Sequence, residues 1–108
     1  MHTPHSLLAR NFPDVTIIVG HMGEVDYTID DVKAAKKCEN VMLETSWTSK
    51  TGIEYAAQEI GADRIIMDSD VPYGHPAIEL KKIELLKIPE EEKALIRGMN
   101  LARILRLK

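Results

Sequence analysis

The chain has 108 residues, 44% of them hydrophobic and 29% charged, so its composition suits one soluble domain with a modest core and excludes a disordered chain. Fourteen basic and seventeen acidic residues give a formal charge of -3, so nucleic acid is not an expected partner. No apolar run approaches the roughly 20 residues that cross a bilayer, so no membrane partner is expected. The single cysteine, Cys38, excludes an internal disulfide and fits a reducing cytoplasm, so any metal site must use histidine and carboxylate ligands.

Short apolar runs alternate along the chain with segments of helical periodicity. A first helix is expected around Leu7 and Leu8. We then predict one buried strand for each of three runs that are bounded by polar or turn residues: "VTIIVG" (15–20), "VMLET" (41–45) and "RIIMD" (64–68).

Helix-start and helix-stop residues lie between and after these runs. Thr28, followed three residues later by an aspartate, resembles a capping box and predicts a helix start there. Gly61 is placed to end the next helix. After the third strand we expect three more helices, opened by Pro76, by Pro89 and by Asn100.

The alternation of strands and helices predicts right-handed βαβ units and an α/β fold with a parallel sheet. Helices on one side would leave the other face of such a sheet bare, and a closed barrel solves that problem. A complete (β/α)₈ barrel needs about 250 residues. We therefore expect residues 1–108 to form a single partial (β/α) TIM-type barrel domain, with about three parallel strands and flanking helices that correspond to the last three units.

Candidate functional residues follow the strands, because chemistry gathers at the carboxyl ends of parallel strands. His21 follows the first run and Asp70 follows the third, whereas Trp47 lies just after the middle one. The first and third strands are expected to lie roughly 10 Å apart at the backbone, so His21 and Asp70 could meet at one Zn²⁺, Mn²⁺ or Fe²⁺ ion. The alternative interpretations are a histidine at a helix start, an aspartate in an ordinary turn and a tryptophan that covers the core.

Four segments together resemble the C-terminal portion of the amidohydrolase-related family of metal-dependent TIM-barrel enzymes: "FPDVTIIVGHMGE", "CENVMLETSW", "GADRIIMDSDVP" and "PEEEKALIRGMNLARILRL". The resemblance implies that His21, in the "HMG" segment, is a metal ligand or its close partner. It implies that Asp70 binds the metal and handles the proton of the attacking water. His2, in "MHT", would match a further ligand at the end of the preceding barrel strand.

The resemblance also implies a small-molecule substrate and a divalent metal, with zinc expected first and manganese or iron as alternatives. Family members hydrolyse C–N or C–O bonds, and one branch performs non-oxidative decarboxylation. A metal-dependent hydrolase is the first expectation, in which the ion lowers the pKa of its bound water and Asp70 takes the proton. A family decarboxylase and a non-catalytic partial barrel that binds a partner are the alternatives.

Two departures from the family pattern bear on these expectations. The N-terminal His-x-His pair is absent, since the histidines of "MHTPH" are three residues apart. We therefore expect completion by a missing N-terminal half or by homo-oligomerisation, which the open strand edges favour. The family's glycine before Ser-Asp is replaced by Asp68, which would face the same side as Asp70 in a regular strand and could support the metal site or pair with Arg64.

Overall fold

The computed structural model describes residues 4–107, with the side chains of residues 4, 5 and 23–26 excepted. Helices and strands alternate up to β3, and helices follow it. The elements are α1 (Pro4–Asn11), β1 (Ile17–Val19), α2 (Glu24–Lys37), β2 (Val41–Glu44), α3 (Lys50–Ile60), β3 (Ile65–Ile66), α4 (Pro76–Glu84), α5 (Glu90–Ala94) and α6 (Asn100–Ile104). Short 3₁₀ turns cover Gly20–Gly23 and Ala62–Arg64, and a π-helical segment, Leu95–Met99, joins α5 to α6.

The three strands form one parallel sheet in the order β1-β2-β3. Ile17 pairs with Val41, and Leu43 pairs with Ile65. The predicted α/β fold with about three parallel strands and flanking helices is confirmed. Because all three strands run the same way, their carboxyl ends meet at one edge of the sheet.

One core cluster lies between the sheet and the helices. Leu43 and Ile65 of the sheet are fully buried, as are Ile53 of α3 and Ile83 of α4. Each fully buried aliphatic side chain contributes about 1.5–3 kcal/mol, so this cluster holds the helices against one face of the sheet. In the part of the chain that the structure describes, no helix is long and apolar enough to cross a membrane.

The strands are shorter than the predicted runs. β1 covers 17–19 rather than 15–20, and β2 covers 41–44 rather than 41–45. β3 covers 65–66 rather than 64–68. β3 ends early because the amide of Met67 does not bond β2. It donates instead to the carbonyl oxygen of Ile96 in the π-helical segment, at 3.0 Å.

Two helix starts also differ from the prediction. α2 begins at Glu24, because the 3₁₀ turn leads straight into it, so Thr28 lies buried inside the helix and the capping-box prediction is wrong. The helices predicted at Pro89 and Asn100 form one continuous helical run through the π-helical segment. The predicted start at Pro76 and the stop at Gly61 are confirmed.

Two polar side chains secure the region where β3 begins. Asn100, fully buried, donates from Nδ2 to the carbonyl oxygens of Ala62 at 2.7 Å and Ile65 at 2.8 Å. The guanidinium of Arg64 donates to three carbonyl oxygens, those of Ala35, Cys38 and Val41. Arg64 therefore links the end of α2 to β2 and β3. Of the two roles left open for Asp68, the pairing with Arg64 is replaced by these bonds.

Replacing Asn100 with alanine should lower the free energy of unfolding by about 2–4 kcal/mol, because two buried carbonyl groups lose their donor and a small cavity remains. Urea denaturation measures the loss. Asn11→Ala, at an exposed position, is the matched control. A loss for Asn100→Ala no larger than that of the control would contradict the assigned role.

The carboxyl of Glu54 should make stability depend on pH. Hydrogen bonding from the Lys87 amide lowers the pKa of Glu54, and the Lys50 side chain adds to that effect. Because the folded pKa is depressed, the contribution to stability is present above the unfolded pKa of about 4.3 and is lost as pH falls through the folded value. Glu54→Gln should therefore lower the Tm slightly at neutral pH and not at strongly acidic pH. An equal difference at both pH values would contradict this.

Candidate functional site

Left-handed backbone conformations mark the carboxyl ends of all three strands. Non-glycine residues with positive φ follow β1 (His21 at 62° and Met22 at 42°), β2 (Trp47 at 60°) and β3 (Asp70 at 57°). Such conformations cost on the order of 1–3 kcal/mol each and persist where surrounding contacts hold them. They concentrate at the sheet edge where sequence analysis placed the site.

Residues at and just after the end of β2 hold His21 through its main chain and its ring. Its amide donates to Oε2 of Glu44 at 2.7 Å, and its carbonyl oxygen accepts from Oγ1 of Thr48 at 2.9 Å. Nδ1 lies 2.6 Å from Oγ of Ser46. Because Nδ1 has this partner, Nε2 is the ring nitrogen that remains for a ligand.

Glu44 is a residue of the candidate site that the sequence analysis missed. Its side chain is 9% exposed, and its second oxygen, Oε1, accepts the amide of Ser46 at 2.6 Å. Oε2 also lies 3.8 Å from Nδ1 of His21. The available signal was a carboxylate at the end of an otherwise apolar strand, next to the edge where His21 was expected.

Asp70 belongs to a tight turn after β3. Its Oδ2 accepts the indole N–H of Trp47 at 2.8 Å, and its carbonyl oxygen accepts the amides of Tyr73 and Gly74. Its own amide donates to Oδ1 of Asp68 at 3.2 Å. Because β3 ends at Ile66, the strand alternation assumed for Asp68 and Asp70 does not extend to them, and Asp68 instead caps the turn.

The fold places two side chains with the expected metal-binding atoms at one edge of the sheet. An imidazole nitrogen and a carboxylate oxygen suit Zn²⁺ or Mn²⁺, so His21 and Asp70 fit a divalent metal in donor chemistry. Among residues 4–107, no three His, Cys, Asp or Glu side chains come together in a group that could hold a metal ion. His2, the third predicted ligand, lies outside the described residues.

A cavity of about 260 Å³ lies between the segments that follow β2 and β3 and helix α4. Its lining is mostly apolar and includes the exposed side chains of Trp47, Tyr73 and Ile78. The remaining lining residues are Ser69, Gly74, His75, Glu79 and Lys82. Trp47 therefore both contacts a predicted metal ligand and forms a wall of this cavity.

A buried polar network fixes the floor of the cavity. Oγ1 of Thr45 donates to Oε1 of Glu79 at 2.7 Å, and Nζ of Lys82 lies 2.8 Å from the same oxygen. Lys82 also donates to the carbonyl oxygens of Thr45 and Thr48. The network attaches α4 to the end of β2.

The family model described as amidohydrolase matches residues 4–107. The chain therefore belongs to the amidohydrolase family. No match was found among curated protein sequences.

Solved structures agree with this assignment. The 5-carboxyvanillate decarboxylase of Sphingomonas paucimobilis is 27% identical, with a TM-score of 0.75 over 96% of this chain and 37% of its own. A dihydroxybenzoic acid decarboxylase from Polaromonas sp. JS666, solved with bound manganese and the inhibitor 2-nitroresorcinol, is 26% identical, with a TM-score of 0.74 over 94% of this chain and 37% of its own.

A more distant structure shows the same fold. Amidohydrolase 2 from Bifidobacterium longum subsp. infantis is 16% identical, with a TM-score of 0.65 over 97% of this chain and 47% of its own. This chain therefore spans less than half the length of each of these three structures. Its three parallel strands and flanking helices form part of a TIM-type barrel.

Replacing Thr45 with valine should lower the free energy of unfolding by about 1–3 kcal/mol, because the buried Glu79 carboxylate loses a hydrogen bond while side-chain volume is kept. Chemical denaturation measures the change. Thr51→Val, at an exposed position of α3, is the control. If both variants are equally stable, Thr45 does not support the cavity floor.

Proposed function

We propose that this chain contributes His21 and Asp70 as ligands of a divalent metal in an active site of the amidohydrolase family. The observation that carries the proposal is that both residues hold left-handed backbone conformations at one edge of a parallel sheet. The metal is Mn²⁺ or Zn²⁺, which accept a nitrogen and oxygen donor set.

The reaction proposed first is non-oxidative decarboxylation of an aromatic carboxylic acid. Two solved structures more than 25% identical to this chain are decarboxylases of such acids, and one of them holds manganese. The mostly apolar cavity, one wall of which is Trp47 with its indole bonded to Asp70, suits an aromatic ring. Metal-dependent hydrolysis is the second candidate, favoured by a carboxylate that can take a proton from water.

The residues of this chain would have distinct roles in decarboxylation. The bound metal would supply Lewis-acid polarisation of the substrate. The indole N–H of Trp47 orients Asp70 through Oδ2, which leaves Oδ1 to bind metal or carry a proton. Asp70 in its protonated form would deliver the proton that replaces the departing carboxyl group on the ring carbon, as the C–C bond breaks and CO₂ leaves, and water would then reprotonate Asp70. Trp47 and Tyr73 would exclude water from the ring.

A complete site needs a second barrel segment. In the described sheet, β1 and β3 each pair on one side, and Ile18 of β1 is 46% exposed. Two protein ligands are also one fewer than catalytic zinc sites usually have. We infer that an N-terminal barrel half or a second copy of the chain covers the open edges and brings the further ligand. A non-catalytic partial barrel would bind such a partner without binding metal.

Metal titration of single variants tests this proposal. The full chain should bind one Mn²⁺ ion, and His21→Ala and Asp70→Ala should each weaken that binding at least about tenfold. The fluorescence of Trp47, the only tryptophan, reports binding because its indole contacts Asp70. Equilibrium dialysis gives the stoichiometry, and the titration extends to millimolar metal because two ligands bind weakly.

Asp14→Ala, at an exposed position before β1, is the control and should bind metal like the unaltered chain. Unchanged affinity in both His21→Ala and Asp70→Ala would contradict the site assignment. The products distinguish the two reactions. A decarboxylase releases CO₂ from hydroxylated benzoates, whereas a hydrolase releases an acid together with an amine or alcohol.

A further inference from the structure

Glu44 is a buried carboxylate to which the proposed chemistry assigns no step. It ends β2 and bonds two main-chain amides, those of His21 at 2.7 Å and Ser46 at 2.6 Å. Hydrogen bonds to an ionised carboxylate are stronger than those between neutral groups. One side chain thereby connects the segment after β1 with the segment after β2.

Three residues at alternating positions in the chain bond His21. Glu44 accepts its amide, Ser46 contacts its Nδ1, and Thr48 donates to its carbonyl oxygen. His21 has a left-handed main-chain conformation. A non-glycine residue keeps this unfavourable conformation only where contacts with neighbouring residues stabilise it. These bonds engage the main-chain amide, the carbonyl and one ring nitrogen.

We propose that Glu44 is a positioning residue that fixes the main chain and ring of His21 before metal binds, so that Nε2 is presented as the ligand atom. The proposal rests on the proposed function for the statement that His21 binds metal. The fixing of His21 itself is a property of the metal-free chain and can be measured without metal.

The role requires a carboxylate rather than an amide. Both oxygens of Glu44 accept main-chain N–H groups, and a carboxylate is an acceptor at both positions. A glutamine of nearly the same shape has one acceptor oxygen and one donor NH₂ group. Glu44→Gln must therefore lose one of the two bonds, because the glutamine NH₂ group would face a main-chain N–H group. The side-chain volume would change little.

Nuclear magnetic resonance of the metal-free chain is the first test. In the unaltered chain the ring nitrogens of His21, assigned with the His21→Ala variant, should show one fixed state, and its amide should resist hydrogen exchange. In Glu44→Gln the ring signals should move toward the averaged values of a mobile imidazole, and amide protection should fall at least about tenfold.

Glu54→Gln is the matched control, because Glu54 also accepts a main-chain amide, that of Lys87 at 2.5 Å. It should leave the His21 signals unchanged. Ser46→Ala removes the hydroxyl and keeps the main-chain bonds, so it should loosen the ring while the His21 amide stays protected. If Glu44→Gln does not fold, Glu44→Asp decides, because a carboxylate one methylene shorter cannot keep both amide bonds. Unchanged His21 ring signals and amide protection in that variant overturn the proposal.

Mn²⁺ affinity is the second test. Glu44→Gln should bind Mn²⁺ about 10- to 100-fold more weakly than the unaltered chain, and Glu54→Gln should not. A folded Glu44→Gln chain with unchanged His21 signals overturns the positioning role, whatever its metal affinity. If His21→Ala binds Mn²⁺ normally, the proposed function fails, and the metal-free spectra still decide whether Glu44 fixes His21.

Discussion

The segment Glu44–Thr48, at the carboxyl end of the central strand, is the feature on which the candidate site depends. Glu44 reaches back to His21 after β1, whereas Trp47 reaches forward to Asp70 after β3. Thr45, between them, bonds Glu79 of α4. A central strand is the only one of three with a neighbour on each side, so its end can fix both neighbouring loops at once.

The amino and carboxyl ends of the strands differ in what their polar side chains do. At the start of β3, the side chains of Arg64 and Asn100 donate hydrogen bonds to main-chain carbonyl oxygens and so stabilise the fold. At the other end, polar side chains hold residues in unfavourable backbone conformations, which costs stability. This division matches the rule that the carboxyl face of a parallel barrel carries chemistry and the amino face carries stability.

Much of the fold could be predicted from the sequence because its determinants are local. Apolar runs and helical periodicity indicated the three strands and the helices between them. The ends of elements depended on distant partners: β3 ends where Met67 bonds Ile96, and α2 begins at Glu24 because a 3₁₀ turn leads into it. Asn100 was expected to start a helix. Its side chain is instead buried and donates to the carbonyl oxygens of Ala62 and Ile65.

The candidate site was predictable in position but not in contacts. His21 and Asp70 were predicted as site residues because parallel strands bring their carboxyl ends together, and both lie just after those ends. Glu44 was missed because a strand-end glutamate has no motif of its own, and its role follows only from two amides that the fold places beside it. The indole of Trp47 on Asp70 likewise joins two segments that are distant in the chain.

The most direct measurement is anomalous X-ray diffraction from crystals of the full chain grown with Mn²⁺. The account predicts a manganese peak about 2.0–2.3 Å from Nε2 of His21 and from a carboxylate oxygen of Asp70. Nδ1 of His21 should still contact Ser46 in that structure. A peak at other residues, or none at either strand end in crystals saturated with manganese, would contradict the account.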